Sequence, residues 1–222
     1  MFKRELFLLQ QNHNKTKRNY IQRMMNKKAQ CMKVSKKYGK DYWDGNRKYG
    51  YGGYRYIPGR LTKIAKIIIK KFNLNNKFKI LDIGCGKGFL LYEIKKMLPE
   101  CEIVGIDVSK YALSKAHKGI KKYLINYDAR KKLPFKKKYF DLAISFGLFH
   151  NFLLDELENS LKEFNRVSKN NYLMVESYKN NEELFNLQCW ALTCESFLKP
   201  SEWLWVFKKT RYKGYFEFIY FT

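Results

Sequence analysis

Three glycines at alternate positions, directly after a short apolar run, constrain this chain more than any other feature. Residues 80–83 are mostly apolar and are typical of a buried strand, and Gly84, Gly86 and Gly88 follow them. An apolar pattern with helical spacing begins at Phe89, so the stretch predicts a strand, a glycine loop and a helix in succession. The free N–H groups of the first helical turn would face a ligand that lies against the loop.

The spacing of the glycines indicates the class of ligand. A dinucleotide-binding loop has its third glycine three residues after the second, and Phe89 occupies that position here. Instead, Asp82 stands two residues before the first glycine, which gives the pattern D-x-G-x-G-x-G. This pattern resembles motif I of the class I S-adenosylmethionine-dependent methyltransferases. The alternative is a strand-to-helix turn that needs glycine only for its shape.

Two further acids follow predicted strands. Residues 102–106 predict a second strand that ends at Asp107, where a carboxylate can accept hydrogen bonds from both ribose hydroxyls. Residues 123–127 predict a third strand, which Asp128 and Ala129 follow. The resemblance implies that Asp128 accepts a hydrogen bond from the adenine amino group, and that the Ala129 N–H binds a ring nitrogen.

The resemblance therefore implies S-adenosyl-L-methionine as the cofactor. Its implied binding residues are Asp82, Gly84, Cys85, Gly86, Asp107, Val108, Asp128, Ala129 and Ser145. Alternating β and α units predict an α/β fold with a Rossmann-like methyltransferase sheet, mostly parallel, of six or seven strands flanked by helices. The family normally ends in a two-stranded hairpin, but only one strand, at about residues 215–221, is evident after the helical patterns at 182–197 and 202–208.

The first 60 residues differ in composition from the rest. In residues 1–38, Leu6, Leu9, His13, Thr16 and Tyr20 fall at helical spacing and predict one or two amphipathic helices, with a flexible basic arm as the alternative. Residues 39–60 are rich in glycine and tyrosine, and a long aromatic loop of this kind predicts a lid over the cofactor or substrate. A hydrophobic plug at one end of the sheet is the alternative. We therefore divide the chain into an extension, residues 1–60, and a methyltransferase domain, residues 61–222.

Residues 140–146 and 172–177 predict the fourth and fifth strands. Candidate catalytic residues lie at the carboxyl ends of these strands, where the acceptor meets the cofactor in an open α/β sheet. An oxygen acceptor can require a base, and His150 and Glu176 are the candidates, although a histidine on its own is also commonly structural. Candidate acceptor-binding residues are Tyr51, Tyr54, Arg55 and Asn151. Arg55 would suit an anionic group such as phosphate.

The net charge of +25 raises a second class of function. Such a balance commonly indicates nucleic acid or an anionic surface as a partner, so an RNA methyltransferase or a nucleic-acid-binding protein is the alternative. However, the chain has 36 lysines and only nine arginines, and arginine-rich clusters that read bases and phosphates are missing. A lysine excess can also come from compositional bias. We therefore expect a small-molecule acceptor and no nucleic acid.

Five cysteines without a CxxC pair argue against disulfides and a zinc site, and we expect a reduced cytoplasmic protein with no bound metal. The apolar runs are too short to span a bilayer. Segments 42–56 and 176–194 are similar to bacterial methyltransferases associated with surface-polysaccharide modification. This similarity implies O-methylation of a sugar or phosphoramidate group in capsule polysaccharide biosynthesis.

Overall fold

A six-stranded sheet forms the centre of the chain, for which a computed structural model describes residues 4–10 and 17–222. The strands are β1 (Lys79–Ile83), β2 (Glu102–Asp107), β3 (Leu124–Asn126), β4 (Phe140–Phe146), β5 (Ser168–Glu176) and β6 (Tyr215–Ile219). They lie in the order β3-β2-β1-β4-β5-β6, and every neighbouring pair is parallel. The predicted Rossmann-like sheet is confirmed, with six strands in the described residues.

Helices connect the strands and form an N-terminal extension. They are α1 (Tyr20–Met25), α2 (Lys28–Ser35), α3 (Lys40–Asp44), α4 (Thr62–Lys71), α5 (Phe89–Met97), α6 (Lys110–Ser114), α7 (Leu154–Val167), α8 (Asn181–Trp190) and α9 (Pro200–Lys209), with single 3-10 turns at Arg47–Tyr49, Lys121–Tyr123 and Phe149–Asn151. None of the helices in the described part of the chain is long and apolar enough to cross a bilayer.

Both faces of the sheet are covered, because successive residues of each strand point to opposite sides. On one face, Ile80 of β1 joins a buried cluster with Ile68 of α4 and Leu91 of α5. On the other face, Leu81 joins a cluster that includes Phe164 of α7 and Trp203 of α9. A ligand would therefore bind at the ends of the strands, and in open α/β sheets it binds at the carboxyl ends.

The C-terminal part differs from the expected pattern in two ways. The helix predicted over 182–197 ends at Trp190, where the backbone of Ala191 becomes extended, with a ψ of 136°. Further along, the backbone N–H groups of Glu195 and Ser196 donate to the carbonyl oxygen of His150, each over 3.0 Å, so the helix does not resume. After α9, the described residues contain one strand, β6, and no hairpin partner. In the described residues, β6 lies next to β5 as a single parallel strand, where the resemblance implied a hairpin.

The N-terminal segment covers the outer edge of β6. Leu6 donates its N–H to the carbonyl oxygen of Phe216 over 2.8 Å, and Phe216 donates to Arg4 over 3.1 Å. The buried Glu217 carboxylate accepts hydrogen bonds from the N–H groups of Leu9 and Gln10, at 2.7 and 2.9 Å. An edge strand without a partner exposes backbone N–H and C=O groups that can pair with a strand of another molecule. The contacts of the N-terminal segment cover these groups on β6.

Helices α1 and α2 lie within residues 1–38, where the sequence predicted one or two helices. Asn19 caps α1 by accepting a hydrogen bond from the Gln22 N–H over 2.9 Å. Leu6 and Leu9, the first two residues of the predicted helical spacing, lie outside any helix, because the backbone there runs along β6. His13 and Thr16 lie outside the described residues. The division of the chain at residues 60 and 61 stays a prediction.

Candidate functional site

The glycine loop joins β1 to α5 and is held against β2. Gly86 donates its N–H to Asp107 Oδ2 over 2.8 Å, and Ser109 donates to Oδ1 over 2.7 Å. Gly86 has a φ of +56°, and a Cβ atom there would lie 2.7 Å from the Trp43 ring. Both the backbone conformation and the close contact therefore require glycine at position 86.

An aromatic layer lies over this loop. The Trp43 indole N–H donates to Ser109 Oγ over 2.9 Å, and its ring stacks on Tyr51 with centroids 5.2 Å apart. Tyr54 continues the layer, 4.7 Å from Tyr51 and 5.3 Å from Phe89. These residues lie at the carboxyl ends of the strands, which is the location that the predicted lid requires. The opening and closing of a lid stays a prediction.

An ion pair fixes the aromatic layer to the glycine loop. Lys87 is 4% exposed, and its ammonium group contacts both carboxylate oxygens of Asp44 at 2.7 Å and the carbonyl oxygen of Tyr54 at 2.7 Å. Tyr111 donates its hydroxyl to Asp44 over 3.0 Å. Burial raises the pKa of Asp44, but the hydrogen bonds from Lys87 and Tyr111 outweigh it, so the pKa lies below its ordinary value.

A cavity of about 310 Å³ opens beside the loop. Its lining residues are Lys36, Lys37, Tyr38, Tyr42, Trp43, Tyr51, Gly84, Ile106, Asp107, Val108, Tyr127, Asp128, Ala129, Arg130, Phe146, Gly147, Leu148, Asn151, Phe152, Thr193 and Glu195. The carboxyl ends of β1 to β4 form its floor, and the extension and residues 193–195 form its cover. This size and setting are those of a small-molecule site, at the low end of the usual range.

The comparisons with known proteins agree with this geometry. A family model described as a methyltransferase domain matches residues 74–218, which is more than half of the chain. The chain belongs to this methyltransferase family. It is an enzyme that uses S-adenosyl-L-methionine as its cofactor, as the sequence predicted.

Individual relatives resemble this methyltransferase over different lengths. The ubiquinone biosynthesis O-methyltransferase of Pelagibacter ubique (strain HTCC1062) is 27% identical over 195 residues, which cover 78% of this chain and 79% of that protein. The demethylmenaquinone methyltransferase of Thermotoga maritima is 32% identical over 112 residues, covering 50% and 48%. The solved structure of the YcgJ protein from Bacillus subtilis has a TM-score of 0.52 at 19% identity, covering 66% of each chain, and shows the shared fold.

The residues present fit the cofactor at the cavity wall. Five of the nine expected cofactor-binding residues line the cavity: Gly84, Asp107, Val108, Asp128 and Ala129. The other four do not line it. Gly86 lies under Trp43, the Cys85 sulfur packs beside Gly105 of β2, Asp82 is buried in β1, and the fully buried Ser145 hydroxyl donates to the Ile83 carbonyl oxygen over 2.8 Å. Cofactor binding by each named residue stays a prediction.

Two buried acids, Asp82 and Asp107, lie at the floor of the site. Burial, and then the charge of Asp107, raise the pKa of Asp82 to about 8. Within residues 4–10 and 17–222, the Asp82 carboxyl receives no hydrogen bond from a neighbour. Burial also raises the pKa of Asp107, while the N–H groups of Ser109 and Gly86 oppose that shift. A bound cation would favour the ionised form of Asp82, and S-adenosylmethionine carries a sulfonium and an ammonium group.

Asp128 stands just after β3 and is held ionised by a neighbouring arginine. Arg130 donates from Nη2 to Asp128 Oδ2 over 2.7 Å and from Nε to Oδ1 over 2.9 Å, and it also reaches Glu156 at 3.1 Å. The hydrogen bond from Arg130 is the main cause of the lowered pKa of Asp128. The carboxylate therefore keeps acceptor capacity at the cavity wall, as adenine binding would require.

His150 and Glu176 lie side by side next to the cavity. Glu176 donates its backbone N–H to His150 Nδ1 over 3.1 Å, and His150 Nε2 lies 3.4 Å from the Glu176 carboxylate. Because Nδ1 accepts a hydrogen bond, the proton of the neutral imidazole is on Nε2. Burial lowers the pKa of His150, and the Glu176 charge only partly opposes this. Neither residue lines the cavity, and the base role stays a prediction.

The expected acceptor-binding residues are not all together. Tyr51 and Asn151 line the cavity, whereas Tyr54 lies behind Tyr51, and Arg55 is exposed outside it. Their roles in binding an acceptor stay predictions. The sequence analysis missed Trp43 and the ion pair between Lys87 and Asp44. Their only signal in the sequence was position: Trp43 and Asp44 lie in the aromatic segment 39–60, and Lys87 lies in the glycine loop.

Proposed function

We propose that this methyltransferase transfers a methyl group from S-adenosylmethionine to an oxygen atom of a small acceptor. We further propose a sugar or phosphoramidate group of a bacterial surface polysaccharide as that acceptor. The similarity of segments 42–56 and 176–194 to methyltransferases of that process supports the finer proposal. The two relatives named above act, by their names, in quinone biosynthesis, which supports a small acceptor.

The observation that carries the proposal is the side chain of Asn151. Its Nδ2 donates to the carbonyl oxygens of Gly147 and Leu148, over 2.9 and 3.0 Å, so this network fixes the orientation of the amide. Its Oδ1 is buried and has no hydrogen-bond partner in the described part of the chain. Buried polar atoms are rarely unpaired, and an acceptor hydroxyl in the cavity would supply the missing donor.

The cover of the cavity also favours a small acceptor. Lys36 of the extension forms an ion pair with Glu195, and both residues line the cavity. Lys28, also in the extension, donates a hydrogen bond to the carbonyl oxygen of Cys189 over 2.8 Å, which attaches the extension to the segment that precedes Glu195. A folded RNA would require an open face at this position, whereas a sugar-sized group fits beneath the cover.

The methyl transfer requires that the acceptor oxygen is aligned with the methyl group, that water is excluded from the site, and that a proton is removed from the acceptor. Bound cofactor supplies the methyl group on an electrophilic sulfonium, and an acceptor oxygen must be held in line with it at about 3–3.5 Å. Trp43 and Tyr51 exclude water from the cavity and so preserve this alignment. The Glu176 side chain is 21% exposed and that of His150 is 5% exposed. Of these two residues, which lie next to the cavity and do not line it, we assign proton removal to Glu176, because its carboxylate is the more accessible.

The experiment is a methyl-transfer assay with radiolabelled S-adenosylmethionine and a panel of sugars, sugar phosphates and bulk RNA. For the sugar or sugar phosphate that accepts the label, Asn151→Ala is expected to lower kcat/KM by roughly three- to tenfold, the value of one hydrogen bond. Asn170→Ala, which removes an exposed amide at the other end of the sheet, is the control. S-adenosylhomocysteine binding should be unchanged in both variants. Equal kcat/KM values for the two variants would overturn the role of Asn151.

The net charge of +25 favours RNA as a second candidate acceptor. Labelled RNA with no labelled small acceptor in this assay would establish that alternative in place of our proposal. Retention of RNA that weakens steeply with salt but produces no label would indicate only attraction by the charged surface.

A further inference from the structure

Four cations of the N-terminal extension converge on the end of α8. The guanidinium groups of Arg18, Arg23 and Arg47 lie 5.4, 5.0 and 5.3 Å from the centre of the Trp190 ring. The fourth cation is Lys28, whose ammonium group donates to the carbonyl oxygens of Cys189 and Ala191, on either side of that tryptophan. We call these five residues the Trp190 cluster.

Three of these cations form no ion pair within the described residues, although the more distant Glu176 carboxylate acts on Lys28. In the described part of the chain, no carboxylate lies within ion-pair distance of Arg23, Lys28 or Arg47. Their hydrogen bonds go to backbone carbonyl oxygens instead: Arg23 donates to Arg47 over 2.7 Å, and Arg47 donates to Gly50. Among the residues that the structure describes, the buried Nε–H of Arg23 has no hydrogen-bond partner.

The electrostatics of the cluster reflect this imbalance. Burial, and then the charge of Arg23, lower the pKa of Lys28 to about 8. Burial, and then the charge of Arg47, lower the pKa of Arg23. Cations that are half-buried and close to one another raise the free energy of the folded state unless an anion joins them.

The cluster lies beside the part of the cavity where the acceptor is expected. Arg47 packs against Gly52, whose added Cβ would be 2.8 Å from Arg47 Cδ, and Tyr51 next to it lines the cavity. The Glu176 carboxylate is close enough to act on both Lys28 and Tyr42, a second cavity residue. Arg47 itself is exposed, so a ligand can reach it from solvent.

We propose that Arg23, Lys28 and Arg47 bind an anionic group of the acceptor, namely a phosphate monoester or an oxyanion of the same shape. The guanidinium groups of Arg23 and Arg47 can each donate two parallel hydrogen bonds to such an anion, and the Lys28 ammonium group contributes a further positive charge. The proposal rests on the proposed function, because it gives a charge to the acceptor of that same site. It also assigns the anion to this cluster and not to Arg55.

The test is calorimetric titration with glucose 1-phosphate and with glucose, in the presence of S-adenosylhomocysteine. The native protein is expected to bind glucose 1-phosphate at least about tenfold more tightly than glucose, since hydrogen bonds between charged groups are strong. Arg47→Gln is expected to lose about tenfold or more of that affinity. Arg211→Gln, which removes an exposed arginine outside the cluster, should stay within about twofold of the native value.

Each other outcome overturns the proposal. Equal binding of the two sugars would mean that no anion site exists, and equal losses in Arg47→Gln and Arg211→Gln would indicate attraction by net charge alone. A lowered melting temperature of Arg23→Gln and Arg47→Gln, with no phosphate binding by the native protein, would show that the cluster only fastens the extension to α8. Titration of S-adenosylhomocysteine alone separates these results from failure of the proposed function, since Arg47→Gln should retain that binding.

Discussion

The ion pair between Lys87 and Asp44 provides a quantitative test of how the extension is held on the glycine loop. The perturbation is a double-mutant cycle of Asp44→Ala and Lys87→Met, in which the methionine keeps most of the apolar stem of the lysine. The lysine side chain is 5% exposed and the aspartate side chain 24% exposed. Removal of one partner therefore leaves a charge that water reaches poorly.

The expected magnitudes follow from this burial. Loss of one partner of a buried pair costs about 3–5 kcal/mol, but the Tyr54 carbonyl oxygen still accepts from Lys87 and Asp44 is partly hydrated. We therefore expect Asp44→Ala to lower the free energy of unfolding by about 2–3 kcal/mol, which is roughly 4–12 °C in Tm for a chain of this size. The double variant should lose about 1.5–2 kcal/mol less than the sum of the single variants.

The assay is urea unfolding of the four proteins, followed by circular dichroism. The control cycle uses the exposed pair Lys162 and Glu158, which has a similar contact distance of 2.8 Å but side chains that are 54% and 37% exposed. Its coupling energy should be about 0.3–0.5 kcal/mol. A buried pair that couples no more strongly than this control would refute the argument, because burial would then have added nothing to the interaction.

Three further predictions concern the loop, the buried acid and the aromatic layer. Gly86→Val should abolish S-adenosylhomocysteine binding in calorimetry, because its side chain would enter the space of Trp43 at a φ that valine disfavours; unchanged binding would contradict this. The pKa of Asp82 is raised above its ordinary value to about 8, so the folded state keeps a proton that the unfolded state loses. Stability should therefore fall as the pH rises from about 4 to 8, and Asp82→Asn should flatten this slope in urea unfolding. Tyr51 and Tyr54, changed together to Ala, should lower turnover much more than Tm, and the reverse result would indicate a plug.

Sequence predicted the parts of the site that depend on local patterns. The strand before Gly84, the positions of Asp107 and Asp128 after their strands, and the parallel sheet all follow from short apolar runs and turn residues. These signals are local because burial on both faces and tight turns each restrict only a few consecutive residues. The location of the aromatic segment over the loop also agrees with the predicted lid.

The remaining features depend on contacts between distant parts of the chain. Lys87 and Asp44 are 43 positions apart, and Lys28 meets Cys189 across 161 positions. No periodic pattern connects such residues, so neither the buried ion pair nor the Trp190 cluster could be predicted. The helix over 182–197 was predicted too long for a similar reason: the backbone becomes extended at Ala191, and the carbonyl oxygen of His150, far away in sequence, accepts from the N–H groups of Glu195 and Ser196, so the helix does not resume.

The attachment of residues 4–6 to β6 has a consequence for the order of assembly during protein synthesis. The ribosome makes β6 after all the other strands, and α8, against which α1 packs, is made only shortly before it. Residues 4–6, which are made before every strand of the sheet, must therefore wait until β6 has been made before they reach their final contacts. The glycine loop and Trp43 are complete much earlier, so a nascent chain can form the floor of the cavity while its outer cover is still unanchored.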